Sequence, residues 1–404
     1  MVILATALIP ICVYFSYVFR YTLNIPHMDD YDAILGFLVN FKNADFADKL
    51  GLLFSQHNEH RILSSRIVYV LYYSLCGSVN FKNIIVINTL LLVGVFAVVA
   101  VFIKRVLPAN WVVPVVILSF CLFDINNYDN AVFASYGMQN YGIVLWFVSS
   151  MLCYTGTKRW YLLPAALLQI LCVYSSGNGI LASLFILLSV CLTRDRVKIV
   201  TALAVFLIFS PLYYLHYQQP ETNFFTTDIT KIVPYFLHAA GAHFGFDAGV
   251  AAGGIMIVVL LAAMAYAKKL GRLPGSAMPL VCLAGFVLAS LSVMSVFRGN
   301  MPVGNAYTSR YFIYGHLLLV LSFVFALLCV DNQKIIMAEG VVMAIVVLFI
   351  YKADIDDGEK AFQYYYNSLK NIQYDYPIRD KAKAIAESSC QEQVYCIEDH
   401  RGDE

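Results

Sequence analysis

The segment His27-Met28-Asp29-Asp30-Tyr31-Asp32 puts three carboxylates into four consecutive positions of a chain that is 60% apolar and only 13% charged. It follows closely on an apolar run from residue 1 to about 19. A carboxylate there can act as a general base, taking the proton of an attacking hydroxyl as the bond to a leaving group breaks. An acid there can also cap a helix starting near Tyr31, facing free N–H groups and the positive end of the helix dipole. Capping accounts for one acid well and for three poorly. At least one is therefore assigned to chemistry: Asp29 first, Asp30 second, with Asp32 facing solvent.

Other residues of suitable type surround this candidate base. His57, Glu59, His60 and Arg61 form a short polar cluster. Imidazole and carboxylate suit divalent ions, but the spacing is not that of an H-E-x-x-H zinc site. We assign these residues to substrate contact and name no metal ligand; a divalent ion such as Mg or Mn is compatible with the chemistry and not required by it. Arg61 either pairs with Glu59 or faces a phosphate. Arg298 and Arg310 flank the bendable loop 298–309, with Gly299, Pro302, Gly304 and Asn305 between them. A guanidinium offers phosphate a planar fork of donors. Arg310 ranks first, because an ionisable group at a span's end facing the bundle is more often functional than idle; snorkelling to headgroups is its bland alternative. Asp124, Asp129 and Gln139 lie in a stretch dense in amides and tyrosines, suited to reading sugar hydroxyls or equally an ordinary asparagine-rich loop. His316, inside an apolar run, is expected to be a hydrogen-bonded core group.

The elements that must position these groups are apolar helices. With 404 residues and a mean hydropathy of +0.70, the chain reads as an all-α polytopic membrane protein, since helices satisfy their own backbone inside hydrocarbon. Spans are expected near 84–103, 111–123, 141–155, 160–173, 179–193, 197–215, 249–267, 277–297, 309–330 and 335–351. With 1–19 as a retained anchor, about 11 transmembrane helices result. Basic turns recur at Lys104-Arg105, Lys158-Arg159, Arg194 to Lys198, Lys268 to Arg272 and Lys334, whereas loops 124–140, 174–178, 216–247 and 298–309 hold only Lys231 and Arg298. The positive-inside rule puts the first set in the cytoplasm, with the N-terminus, and the second set and the C-terminus outside. Residues 61–76 carry a stripe of Arg61, Ser65, Tyr69 and Tyr72 at helical spacing and are expected to lie in the interface rather than cross; residues 31–42 form a smaller version. Segment 20–83 is thus a first external loop with two juxtamembrane surface helices, and 228–240 is a further candidate surface helix. Residues 1–351 make the transmembrane module and 352–404 a short external tail, in which Cys390 and Cys396 can pair if the compartment is oxidising.

This layout resembles the GT-C class of membrane glycosyltransferases: a cytoplasmic N-terminus, one span, an acid pair followed by an aromatic (Asp29-Asp30-Tyr31), juxtamembrane helices, then a many-helix bundle. Asp124 with Asp129 resembles the second acidic patch of that class, and Arg310-Tyr311 its late Arg-Tyr pair. The resemblance covers residues 1–351 as architecture, on short motifs. It implies transfer of a sugar from a polyprenyl-phosphate carrier to a cell-envelope glycan or lipid-linked acceptor, outside the bacterial inner membrane, with Asp29 or Asp30 as base, Arg310 and Arg298 at phosphate, and Tyr311 beside the substrate. Membrane lipids, a flippase and a donor-synthesising glycosyltransferase are the implied partners.

A net charge of +1 argues against nucleic acid. No Walker A, dinucleotide fingerprint or G-x-S-x-G elbow is present, and the inner loops are too short for a nucleotide-sugar domain. Two alternatives stay open: a lipid-linked sugar flippase or transporter, expected to carry charge in mid-membrane, and an enzyme like the O-antigen polymerases or ligases of lipopolysaccharide assembly.

Overall fold

The computed structural model describes residues 5–219, 224–370 and 379–397. Residues 1–4 of the expected first span, and 371–378 and 398–404 of the tail, lie outside them. Among the described residues the regular structure is helical, apart from one hairpin of two-residue strands.

An α-helix covers each expected span. In chain order these are α1 (Leu8–Tyr21), then in the first loop α2 (Phe37–Asn43), α3 (Phe46–Phe54) and α4 (Leu63–Cys76), followed by α5 (Phe81–Val106), α6 (Val112–Leu122), the short α7 (Tyr128–Val132), α8 (Ala134–Thr155), α9 (Leu162–Val173), α10 (Gly179–Cys191), α11 (Arg196–Tyr213), α12 (Ile229–Ala240), α13 (Gly245–Lys269), α14 (Met278–Arg298), α15 (Phe312–Leu327), α16 (Gln333–Lys370) and α17 (Arg379–Gln391). Among the described residues, six helical stretches are long and apolar enough to cross a membrane: Phe81–Val106, Arg196–Tyr213, Ala242–Lys269, Gly275–Arg298, Ser309–Leu327 and Gln333–Lys370. Four shorter apolar helices lie at Leu8–Tyr21, Val112–Leu122, Arg159–Val173 and Gly179–Cys191. The protein is thus an all-α membrane protein.

Local chemistry sets the helix limits. Asn80 caps α5 through its side-chain oxygen on the Asn83 N–H, and Lys104 and Arg105 sit in its last turn, where cations suit the dipole. Asp195 caps α11 in the same way. Helix α15 is buried on nearly every face and forms the centre of the bundle, whereas α16 is peripheral.

The two sets of loops segregate to opposite ends. At one end the basic turns touch each other: Arg105 donates to Thr155 (3.0 Å), Lys198 to the Gly156 carbonyl (2.8 Å), Ser276 to the Arg105 carbonyl (3.3 Å) and Arg272 to the Cys329 carbonyl (3.0 Å). At the other end the first loop meets 124–140, 174–178 and 298–311 (below).

The first loop differs from expectation in three respects. A π-helical turn, Tyr31–Gly36, precedes α2, and α3 is an additional amphipathic helix. Antiparallel strands β1 (Gln56–His57) and β2 (His60–Arg61) turn through Asn58, whose left-handed φ of 48° asparagine tolerates well. Helix α4 turns its polar side inward: Ser64, Ser65, Arg66 and Tyr69 are buried, while Leu71 and Leu75 are exposed. Of the polar stripe, Arg61, Ser65 and Tyr69 face the protein and Tyr72 is half-buried. At the far end of the chain, α16 runs unbroken past residue 351, and its Gly358 lies so close to Ile125 that a Cβ would come within 2.8 Å of that backbone.

Candidate active site

Neighbouring acids in the first loop have opposite fates. Asp30 is 1% exposed. One carboxylate oxygen accepts the Ser135 N–H (2.8 Å); the other accepts those of Ala134 (3.3 Å) and His27 (3.2 Å). Helix α8 has no cap from its own Phe133, and Asp30 supplies one from about a hundred residues away. Burial pushes its carboxyl up to about 6, against those N–H donors. The base role considered for Asp30 does not fit a carboxylate so occupied; the capping role does, on a different helix from the one expected. Met28, with φ 44°, turns the chain just ahead of the pair, and Asp29 stays half-exposed.

Asp29 faces His57 and Tyr136 electrostatically. Tyr136, on the first turn of α8, also lies under a guanidinium: the Arg310 Cζ is 4.4 Å from its ring centroid and 5.2 Å from that of Tyr311. Arg298 lies over the other side of the pair, 5.0 Å from the Tyr311 ring. Arg310 Nε is buried without a hydrogen-bond partner among the described residues. The two arginines at the ends of loop 298–309 therefore both lie over the Tyr311 ring. Tyr136 is the residue that links acid to arginine, and sequence reasoning counted it only among the tyrosines of a polar loop.

The hairpin closes another side. Glu59 Oε1 lies 3.6 Å from both Arg298 Nη2 and His60 Nε2. Burial raises the Glu59 carboxyl, but His60, the local backbone, Arg298 and Arg310 outweigh it and hold it below the ordinary range. His60 accepts the Gly177 N–H at Nδ1 (3.0 Å), so its proton sits on Nε2, toward Glu59. A Cβ at Gly177 would fall 2.9 Å from that nitrogen, which is why the turn 175–178 needs a glycine there. Burial also lowers His57 and His60, while the negative charge of Glu59 acts in the opposite sense.

Asp129 joins the arrangement from below. Its N–H donates to the Ser309 hydroxyl oxygen (3.0 Å), Asn130 donates to the Arg310 carbonyl (3.0 Å), and the Asp129 carboxylate faces the Arg310 charge. Gln139 is half-buried, one turn along α8 from Tyr136.

Two sequence assignments are corrected. Arg61, placed with the substrate contacts, donates to three backbone carbonyls, those of Phe54, Tyr213 and Leu215. It staples the hairpin to the end of α11 and has no fork left for phosphate; Arg66 does the same for Leu52 and Ser55. Asp124 is 2% exposed and its carboxylate is engaged, with His316 Nε2 at 3.2 Å. Asn126 bridges Asp124 to Asp354 of α16 (3.0 Å to the latter), and the His243 ring packs on that of His316.

Beside the hairpin opens a cavity of about 660 Å³, walled by Phe54, Tyr174, Phe209, Leu212 and Leu215 with Gln56, His216 and Gln218 at polar positions. Among the described residues no three His, Cys, Asp or Glu side chains gather closely enough to hold a metal ion.

Compared with known proteins, the chain matches no family model and no curated protein sequence.

Proposed function

We propose that the protein is a GT-C-like glycosyltransferase that moves a sugar from a polyprenyl-phosphate carrier to a hydroxyl of a cell-envelope acceptor. The observation that carries this reading is the placement of Tyr136 between Asp29 and Arg310, with Arg298 sharing Tyr311. A base and a pair of guanidiniums then gather around Tyr136 and Tyr311. Asp29 takes the proton of the acceptor hydroxyl as that oxygen bonds to the sugar's anomeric carbon. The bond from that carbon to the phosphate oxygen breaks on the opposite side, and the leaving phosphate keeps the electron pair. Arg310 and Arg298 neutralise the charge that develops there. His57, Glu59, His60, Asp129, Gln139 and Tyr311 hold sugar and acceptor hydroxyls. The apolar cavity beside the hairpin suits the isoprenoid chain of the carrier. The segregated basic turns support a cytoplasmic position for the opposite end, so that transfer occurs outside a bacterial inner membrane.

The test is incubation of the purified protein with labelled polyprenyl-phosphate sugars and envelope extract. Free carrier phosphate and a labelled acceptor are expected from the native chain and not from Asp29→Asn. Equal release by both proteins would remove Asp29 as the base; no release from any donor would remove the transferase reading.

A second reading draws on a specific observation. Asp124, His316 and Asp354 form a buried acid–imidazole–acid group among the helices, which suits a proton-coupled transporter of lipid-linked sugar. Movement of label across vesicles with the carrier bond intact would favour it.

A further inference from the structure

The C-terminal segment grips the candidate base from both sides. Helix α17 packs against the π-helical turn Tyr31–Gly36, with Ile385 beside Gly36. Lys381 pairs with Asp32, three residues after Asp29. At the end of α17 the chain reverses through Gln393, which has a left-handed φ of 56°. The Ser389 carbonyl accepts the N–H groups of both Val394 (2.9 Å) and Tyr395 (3.2 Å), and a disulfide joins Cys390 to Cys396 across this turn. The closed turn is inserted and buried: Val394 is 0% and Tyr395 4% exposed. The Val394 carbonyl accepts from Val79 N (2.9 Å), and the Tyr395 hydroxyl donates to the Asn24 carbonyl (2.6 Å), five residues before Asp29. Its ring meets Phe81 edge-on at 5.1 Å, and Phe81 N donates to the Asn24 side chain.

We propose that the Cys390–Cys396 turn is a positioning clamp, closed by oxidation, that holds residues 24–32 so that Asp29 reaches its substrate; the clamp rests on the transferase reading for its effect on rate. Opening it takes two electrons and two protons. A dithiol such as dithiothreitol supplies them, turning the disulfide into two thiols and itself into a cyclic disulfide. The other described cysteines are free thiols, so among the described residues a reductant has this one bond to act on. The open turn frees Tyr395 from Asn24 and slackens one flank of the acidic segment, while Lys381 still holds the other. Arg298 ends α14 and Arg310 lies in the turn Ser309–Tyr311 that leads into α15, so donor binding stays intact.

The experiment compares the native membrane protein before and after dithiothreitol, and after reoxidation with oxidised glutathione, alongside Cys390→Ser/Cys396→Ser and Tyr395→Phe. Reduction is expected to lower kcat about tenfold or more with little change in KM for the donor, and reoxidation to restore it. The double serine variant should match the reduced state and ignore the reductant; Tyr395→Phe should lose part of the rate with its disulfide intact. Hydrogen exchange of residues 24–42 should quicken on reduction, a readout that stands even if no donor is ever turned over. Unchanged exchange and unchanged kcat in the reduced protein, with Asp29→Asn inactive, would overturn the clamp and leave the transferase reading in place. Faster exchange in a protein that transfers no sugar would do the reverse.

Discussion

Two clusters of acids lie at the same end of the bundle and are built on opposite principles. Around Asp29, acids and bases meet across gaps: Glu59 stands 3.6 Å from Arg298 and from His60, and the arginines rest on tyrosine faces rather than in carboxylate forks. Around Asp124 the groups close on each other, His316 at 3.2 Å and Asn126 tied to Asp354, with both acids below a tenth exposed. Open spacing leaves donors and acceptors for something else to complete. Closed spacing uses them up in joining α6, α15 and α16. The difference teaches that density of acids in a sequence does not distinguish a working site from a structural joint; the partners do.

Substitutions should separate the two clusters, in an order of falling effect. Asp29→Asn is expected to cut transfer by about 10²–10⁴-fold with no change in thermal unfolding, measured on matched membrane preparations. Asp124→Ala leaves His316 without its carboxylate partner in a buried site and should cost about 3–5 kcal/mol of stability, read from detergent unfolding. If it instead abolished transfer at full stability, the contrast between clusters would fail.

Asp30 sharpens the comparison, because it belongs to the first cluster by sequence and to the second by burial. Its folded carboxyl lies at about 6, above the ordinary 3.8, so the folded chain binds that proton more tightly than the unfolded chain does. The stabilisation is complete below about pH 4 and is lost as the pH rises through 6, a slope worth about 3 kcal/mol at most. Asp30→Asn cannot ionise and should flatten unfolding stability across that range while retaining transfer. Arg310→Lys keeps the charge and loses the planar fork; a fall of about 10–100-fold in kcat/KM is expected, by the worth of a charged hydrogen bond. Glu59→Gln breaks a half-exposed pair and should change stability by less than about 1 kcal/mol, with its effect confined to KM.

Much of the frame was legible. Expected spans such as 84–103 and 277–297 match Phe81–Val106 and Met278–Arg298 within a few residues, because apolar length and basic flanks are properties of a segment by itself. A bendable loop between Arg298 and Arg310 allowed both to reach one tyrosine, and their guanidiniums do meet at the Tyr311 ring. The hairpin 56–61 was not legible: its strands are two residues long and carry no alternation. Nor was the fate of Arg61, which depends on the Tyr213 and Leu215 carbonyls at the end of a distant helix. The inward turn of the polar face of α4 was not legible for a related reason. Periodicity marks a polar side but not whether water or protein meets it.

The sequence by itself determined a bundle of apolar helices with basic turns at one end and acids, amides and tyrosines at the other, since transfer from water and backbone pairing act segment by segment. Only the tertiary structure decided that Asp30 is buried and Asp29 half-exposed, and that Arg61 is taken up by backbone carbonyls while Arg310 rests on tyrosine rings. A charged side chain is committed or left available by which groups, remote in sequence, the packing of the helices brings within hydrogen-bond reach.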